Sequence, residues 1–246
     1  MQQLGFTRSS VQPDHALLTP DTFIRALLPG MSKAIAIVHT APALGAAFTE
    51  YTVEFEAGGR VGPAPEAVQR FVYVLEGEVV LEAGRKKHRL KPGGYAYVPA
   101  DVAHGLSSSQ PSRAVLIEKP YHELEGVEAP KLFVGDEGKI PGTPLGGDEA
   151  LQVRVLIPDA MPHDFQVNTM TFAPGASLSL VEIHVMEHGL LMLQGGGIYR
   201  LNEKWYPVQA GDFIYMAPYC PQWFGALGKT PAKYLLYKDW NRHPLE

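Results

Sequence analysis

The sequence predicts an all-β chain that folds as two jelly-roll β-barrels in tandem. Three observations predict it. The chain repeats itself at a constant offset of 118 residues. Glycine and proline interrupt it at short intervals, and the runs between them alternate in apolar character.

The repeat pairs residues 71–105 with residues 189–223 without a gap. Leu75 meets Leu193, Gly77 meets Gly195, Gly93 meets Gly211 and Tyr97 meets Tyr215. A further anchor lies upstream, one residue out of step, where Phe55 and Gly58 match Phe172 and Gly175. A repeat of this length is a domain rather than a solenoid unit. Each copy reads as strands separated by glycine or polar turns. Antiparallel strands at this spacing favour a closed barrel or jelly roll, which leaves no bare sheet edge.

The division that follows has four parts. Residues 1–50 form a segment expected to pack on the barrels, and residues 51–121 form the N-terminal barrel. Residues 122–150, rich in glycine, proline and charge, read as a linker. Residues 151–246 form the C-terminal barrel.

Composition excludes several classes of function. The formal net charge is −5 with both signs interspersed, and there is no basic stripe of the kind that binds nucleic acid. No apolar run approaches the roughly 18–20 residues that span a bilayer. Residues 1–14 lack the basic-then-apolar pattern of a secretion signal. The one cysteine, Cys220, cannot build a disulfide framework. The expected setting is the cytoplasm, with no nucleic-acid or membrane partner.

The chemistry concentrates in residues 181–188, which read Val-Glu-Ile-His-Val-Met-Glu-His. Strand side chains alternate faces, so Glu182, His184 and His188 share a face if the segment stays extended. A turn between Val185 and Glu187 would break that parity. Gln222 lies forty residues beyond Glu182, and barrel closure would bring the two segments opposite one another. The set offers two imidazole nitrogens, one carboxylate oxygen and one amide oxygen. Four such ligands leave two octahedral positions open, as a catalytic metal requires. Without a thiolate they suit Mn²⁺ or Fe²⁺ better than a structural Zn²⁺ site.

These residues resemble the two motifs of the cupin superfamily, so the fold expected is a bicupin. The C-terminal copy runs Gly175, Glu182, His184 and His188, then six residues to Gly195, after the pattern of the first motif. Its ligand types are permuted, with Glu first and His last, and Gln222 stands where the second motif usually has His. The N-terminal copy keeps Gly93, Pro99 and His104 of the second motif. At the first motif, however, Ala64, Glu66 and Arg70 align with the ligand positions. Arg70 would repel a cation, so that barrel is expected to be metal-free and structural. His104 is expected to be a hydrogen-bonded core histidine.

The permuted set with Gln222 is similar to that of the (S)-ureidoglycine aminohydrolases, bicupin enzymes of purine and allantoin breakdown. Residues 16–21, 198–202, 205–208, 211–216 and 237–242 follow that family's pattern as well. The resemblance implies metal-dependent hydrolysis of a small-molecule substrate, (S)-ureidoglycine, to (S)-ureidoglycolate and ammonia, by a chain that self-associates into a homo-oligomer. It implies one Mn²⁺ per chain on Glu182, His184, His188 and Gln222, with Fe²⁺ or another divalent ion as the alternative. It implies Glu182 and Lys238 as catalytic residues, and Tyr199, Tyr234 and Lys238 as substrate contacts. The expected counter-ion of Lys238 is the substrate carboxylate or a nearby acid such as Asp239. The competing readings are a Mn or Fe cupin oxygenase or decarboxylase, and a bicupin that binds a small molecule without turnover.

Overall fold

The computed structural model describes residues 6–242. It is built almost entirely of antiparallel strands and divides into two compact units. One unit comprises Ile24–Ile140 with Ala160–Asp164. The other comprises residues 6–23, Pro141–Asp159 and residues 165–242.

In the N-terminal unit the long strand Thr49–Val61 organises the barrel. Its first half pairs with Ser112–Pro120, and its last residues pair with His104–Ser108. One strand therefore serves two parts of the sheet and curls it toward closure. Val68–Glu76 and Gly94–Val98 continue one side; Val79–Ala83 and Lys86–Leu90 continue the other. Alternate residues point inward, and Val53, Phe55, Val72, Val74, Leu81 and Leu116 form the core. Met31–Thr40 lies along Thr49–Val61 as an added strand. The segment read as a linker is not bare, for Phe133–Asp136 adds a strand beside Gly94–Val98.

In the C-terminal unit a large sheet faces a small one. The large sheet runs Ser10–Val11, His15–Leu18, Phe213–Met216, His188–Gln194, Ala232–Asp239, Phe165–Phe172, Asp148–Val155 and Thr143–Leu145. The small sheet comprises Lys204–Gln209, Gly196–Leu201 and Gln222–Ala226. Leu190, Met192, Met170 and Leu236 from the first meet Leu201 and Phe224 from the second. The strand at residues 15–18 is contributed by the start of the chain. Arg8 anchors that start through a two-pronged ion pair with the buried Asp212, at 2.5 and 2.8 Å.

The repeat seen in the sequence has a physical basis at its turns. Gly77 and Gly195 are equivalent, with φ of 75° and 65°. A Cβ there would lie 2.7 Å from the Pro111 carbonyl oxygen and 2.6 Å from that of Pro231. Only glycine meets both the backbone angle and the close approach.

Glu50 is the one residue of the Thr49–Val61 strand whose chemistry conflicts with its setting. It is 1% exposed, and neither carboxylate oxygen has a hydrogen-bond partner. Burial pushes its pKa up from 4.5 to about 8. Between those values the folded chain holds a proton that the unfolded chain has lost. Stability is therefore fully present below the unfolded value and declines as pH rises to about 8. Glu50→Gln should flatten this decline and raise stability at the alkaline end, read from urea unfolding between about pH 5 and about pH 9. An unchanged pH profile would mean that Glu50 is ionised within the fold.

Candidate metal centre and substrate site

His188 opens the His188–Gln194 strand and shares its inward face with Leu190 and Met192. Its backbone pairs with Met216 on one side and Lys238 on the other. The chain before it is irregular, with a bend at Val185, so the extended parity expected of 182, 184 and 188 does not hold. The bend turns His184 back onto His188. Their Nε2 atoms lie 3.1 Å apart, with ring centroids at 4.7 Å.

Gln222 opens the facing strand Gln222–Ala226. Two backbone hydrogen bonds tie it to Glu182, from Glu182 N at 2.8 Å and from Gln222 N at 2.9 Å. This bridge brings the segment before His184 against the small sheet. The Gln222 amide nitrogen lies 2.8 Å from His184 Nε2. Its Oε1 accepts a hydrogen bond from the Tyr199 hydroxyl at 3.1 Å. A hydroxyl can donate or accept, so Tyr199 can hold the amide with either end turned toward the imidazoles.

Burial pushes His184 down and pushes His188 down to about 3, the latter aided by His184 and Lys238. Both rings are therefore neutral at physiological pH. Two neutral imidazoles edge to edge beside an amide offer lone pairs to a common point, a donor set that a divalent cation fits. Glu182 is half-buried, and burial raises its pKa against the pull of Lys238. Its carboxylate stands apart from the closest contacts. Among the described residues, the His/Cys/Asp/Glu group with ligand atoms all within 4.8 Å of one another is Asp14, His15 and Cys220.

That second group is already satisfied internally. His15 Nδ1 is 2.8 Å from Asp14, and its Nε2 is 2.9 Å from the Tyr206 hydroxyl. Asp14 also accepts from Asn202 at 2.7 Å. Burial raises the Cys220 thiol to about 11, so it is not a ready thiolate. These residues clasp the first strand to the barrel.

Lys238 is half-buried on the inward face of Ala232–Asp239, directly between His188 and Gln166. Burial lowers its pKa, while Asp159 and Glu182 oppose the shift. Its Nζ lies 4.0 Å from the centroid of the Trp240 ring, and Trp240 donates to Asp159 at 2.7 Å. Asp239 is not its counter-ion. Adjacent strand residues face opposite ways, and Asp239 accepts the Glu187 backbone N–H at 2.7 Å. It thereby holds the stretch that carries His184 and His188. Tyr199 and Tyr234 are both 2% exposed and pack on Phe224, with ring centroids at 5.5 and 5.8 Å.

Comparison with known proteins agrees with this architecture. The model of the cupin domain matches residues 51–118 and 168–237. The chain is 43% identical over 98% of its length to a probable (S)-ureidoglycine aminohydrolase of Oryza sativa subsp. japonica, covering 78% of that protein. It is 41% identical over 98% of its length to the (S)-ureidoglycine aminohydrolase of Arabidopsis thaliana, covering 80% of it. The crystal structure of protein Ylba from E. coli superposes with a TM-score of 0.87 at 31% identity, covering 96% of each chain. The chain belongs to the (S)-ureidoglycine aminohydrolase family.

In this family member the N-terminal barrel carries a different solution at the equivalent place. Arg70 stands where the repeat places His188, and His104 stands where it places Gln222. The Arg70 guanidinium is 3% exposed. It donates to Glu118 at 2.7 Å, to the Gly62 carbonyl at 2.7 Å and to His104 Nε2 at 3.0 Å. His104 Nδ1 in turn lies 2.7 Å from the Val102 carbonyl, which fixes a neutral ring with its proton on Nδ1. Tyr51 completes the group by donating to Glu118 at 2.9 Å.

Sequence reasoning singled out the ligand types, but it missed the clasp of Asp14, His15 and Tyr206. It also missed Glu118 as the partner of Arg70. Both depend on strand pairings remote in sequence. The opposed faces of Lys238 and Asp239 were available from alternation alone.

Removing the Arg70 cation would leave the Glu118 carboxylate largely buried without its partner. Arg70→Ala should lower the unfolding free energy by about 3–5 kcal/mol, measured by urea denaturation. A loss under about 1 kcal/mol, the level of an exposed pair, would mean that solvent replaces the guanidinium.

Proposed function

We propose that this chain hydrolyses (S)-ureidoglycine to (S)-ureidoglycolate and ammonia. The observation that carries the reading is the near-full-length likeness to proteins of that name. It is supported by a donor set fitted to a cation beside one half-buried lysine. The proposed ligands are Glu182, His184, His188 and Gln222, holding one divalent ion per chain, Mn²⁺ by preference. When bound, the ion supplies Lewis acidity.

The residues of the chain divide the remaining work. In the reaction water adds its oxygen to the carbon that bears the amine, and the carbon–nitrogen bond to that amine breaks. Lys238 takes the substrate carboxylate, the anion a half-buried ammonium calls for. Glu182 takes a proton from water in this reading and passes it to the departing amine. Tyr199 holds the Gln222 amide through its hydroxyl, and Tyr199 and Tyr234 are the proposed aromatic contacts of the substrate. Arg70 fills the corresponding place in the other barrel, and we read that barrel as metal-free.

The wider setting is part of the same reading. A lone buried thiol suits the cytoplasm. The strands Ser10–Val11 and Thr143–Leu145 end the large sheet and leave backbone groups for a second copy, so we read the protein as a homo-oligomer. No helix among the described residues is long and apolar enough to cross a membrane.

The deciding experiment is ammonia release from freshly generated ureidoglycine, with and without Mn²⁺. Oxygen consumption, or binding without turnover, would overturn the proposal. Elemental analysis should find one metal per chain. His188→Ala should abolish binding of that metal, and Gln222→Ala should weaken it less, since a neutral amide is the poorer donor. Glu182→Gln should keep some metal and lose most turnover; full activity would remove Glu182 from the chemistry.

Lys238→Ala should lower kcat/KM by roughly 10²-fold or more, equivalent to about 3 kcal/mol for a charge-assisted contact. Metal content and melting temperature should hardly change. Parent-like kinetics would make Lys238 a solvated lysine with no part in substrate binding.

A further inference from the structure

Asn168 stands out among the buried polar groups of the C-terminal barrel. It is 5% exposed, and its Oδ1 is sealed from solvent without a hydrogen-bond partner. A sealed amide oxygen is destabilising where nothing meets it, and native folds pair nearly all such groups. The Phe165–Phe172 strand runs without a register shift on either side, so its even-numbered residues share one face. Met170 and Phe172 on that face belong to the barrel core. Gln166 and Asn168 therefore point into the same barrel.

The neighbours place this pair beside the candidate substrate site. Gln166 is 3% exposed and directly opposite Lys238, whose other partner is His188. Asn168 is opposite Leu236 and diagonal to Lys238. Diagonal neighbours on one sheet face lie about 7–8 Å apart. A small molecule whose carboxylate rests on Lys238 can thus extend its other end toward Asn168.

We propose that Asn168 is the specificity residue for the ureido group, with its Oδ1 accepting a hydrogen bond from the terminal NH₂. The proposal rests on the substrate reading above and deepens it. The terminal NH₂ is what separates a ureido group from an ordinary amide, and a carboxamide oxygen is its complement. Gln166 sets a second amide in register with Lys238, at the carboxylate end of the ligand. A site that hydrogen-bonds an N–H discriminates against analogues lacking it, because its own buried polar atom is then left unpaired.

The test uses two unreactive probes, N-carbamoylglycine and N-acetylglycine, titrated calorimetrically into the Mn²⁺-supplemented full chain. Both carry the carboxylate, and only the first carries the terminal NH₂. The parent should bind N-carbamoylglycine at least about 10-fold more tightly, the scale of one buried hydrogen bond. Asn168→Leu should bring the two affinities within about 2-fold, mainly by weakening N-carbamoylglycine. Its melting temperature should hold or rise, since the unpaired group is gone. Asn168→Ala serves as the second variant.

Equal affinities in the parent, or undiminished preference in either variant, would overturn the proposal. A parent that prefers N-carbamoylglycine without releasing ammonia from ureidoglycine would keep the subsite and sink the reaction. A parent that releases ammonia without the preference would do the reverse.

Discussion

The candidate site depends on one antiparallel register, the pairing of His188–Gln194 with Ala232–Asp239. It places His188 beside Lys238, so that an imidazole and a cation share one inward face. The same pairing puts Asp239 on the other face, where it takes the Glu187 N–H and holds the irregular stretch in place. A shift of one residue would exchange the two faces and send Lys238 out of the barrel. The buried side chains on both strands resist that shift, since Leu190, Met192, Tyr234 and Leu236 would all leave the core.

A second constraint is electrostatic. Two imidazoles, a carboxylate and an ammonium are gathered in a partly buried space, where unpaired charge is costly. The fold moderates this by keeping both rings neutral and by setting Lys238 against Asp159, Glu182 and the Trp240 face. The N-terminal barrel meets the same geometric problem with a covalently attached cation. The Arg70 guanidinium binds a histidine, a carboxylate and a carbonyl at the place equivalent to His188. One architecture thus accommodates a donor set open to an ion and a closed ion pair.

The start of the chain also shapes the C-terminal barrel. Residues 15–18 extend the large sheet beside Phe213–Met216, and Arg8 neutralises Asp212. His15 joins Asp14 to Tyr206 on the small sheet. Sequence order suggested a segment lying over both barrels. Hydrogen bonding makes part of it a strand of the distant one, because an open edge next to 213–216 would otherwise leave backbone groups unpaired.

Sequence by itself determined the strand-rich character, the twofold repeat and the chemical types at residues 182, 184, 188 and 222. Those follow from local periodicity, from glycines with positive φ and from side-chain chemistry, all of which act over a few residues. Strand alternation would also have put Lys238 and Asp239 on opposite faces, although closeness in sequence suggested Asp239 as the counter-ion. Only the tertiary structure decided that a bend at Val185 folds His184 onto His188 and that Glu182 bridges to Gln222. It alone set Asn168 near Lys238 and gave Arg70 its partners. Each of these contacts joins residues through ladder pairings or a loop path, and no local pattern encodes which distant strand will supply the neighbour.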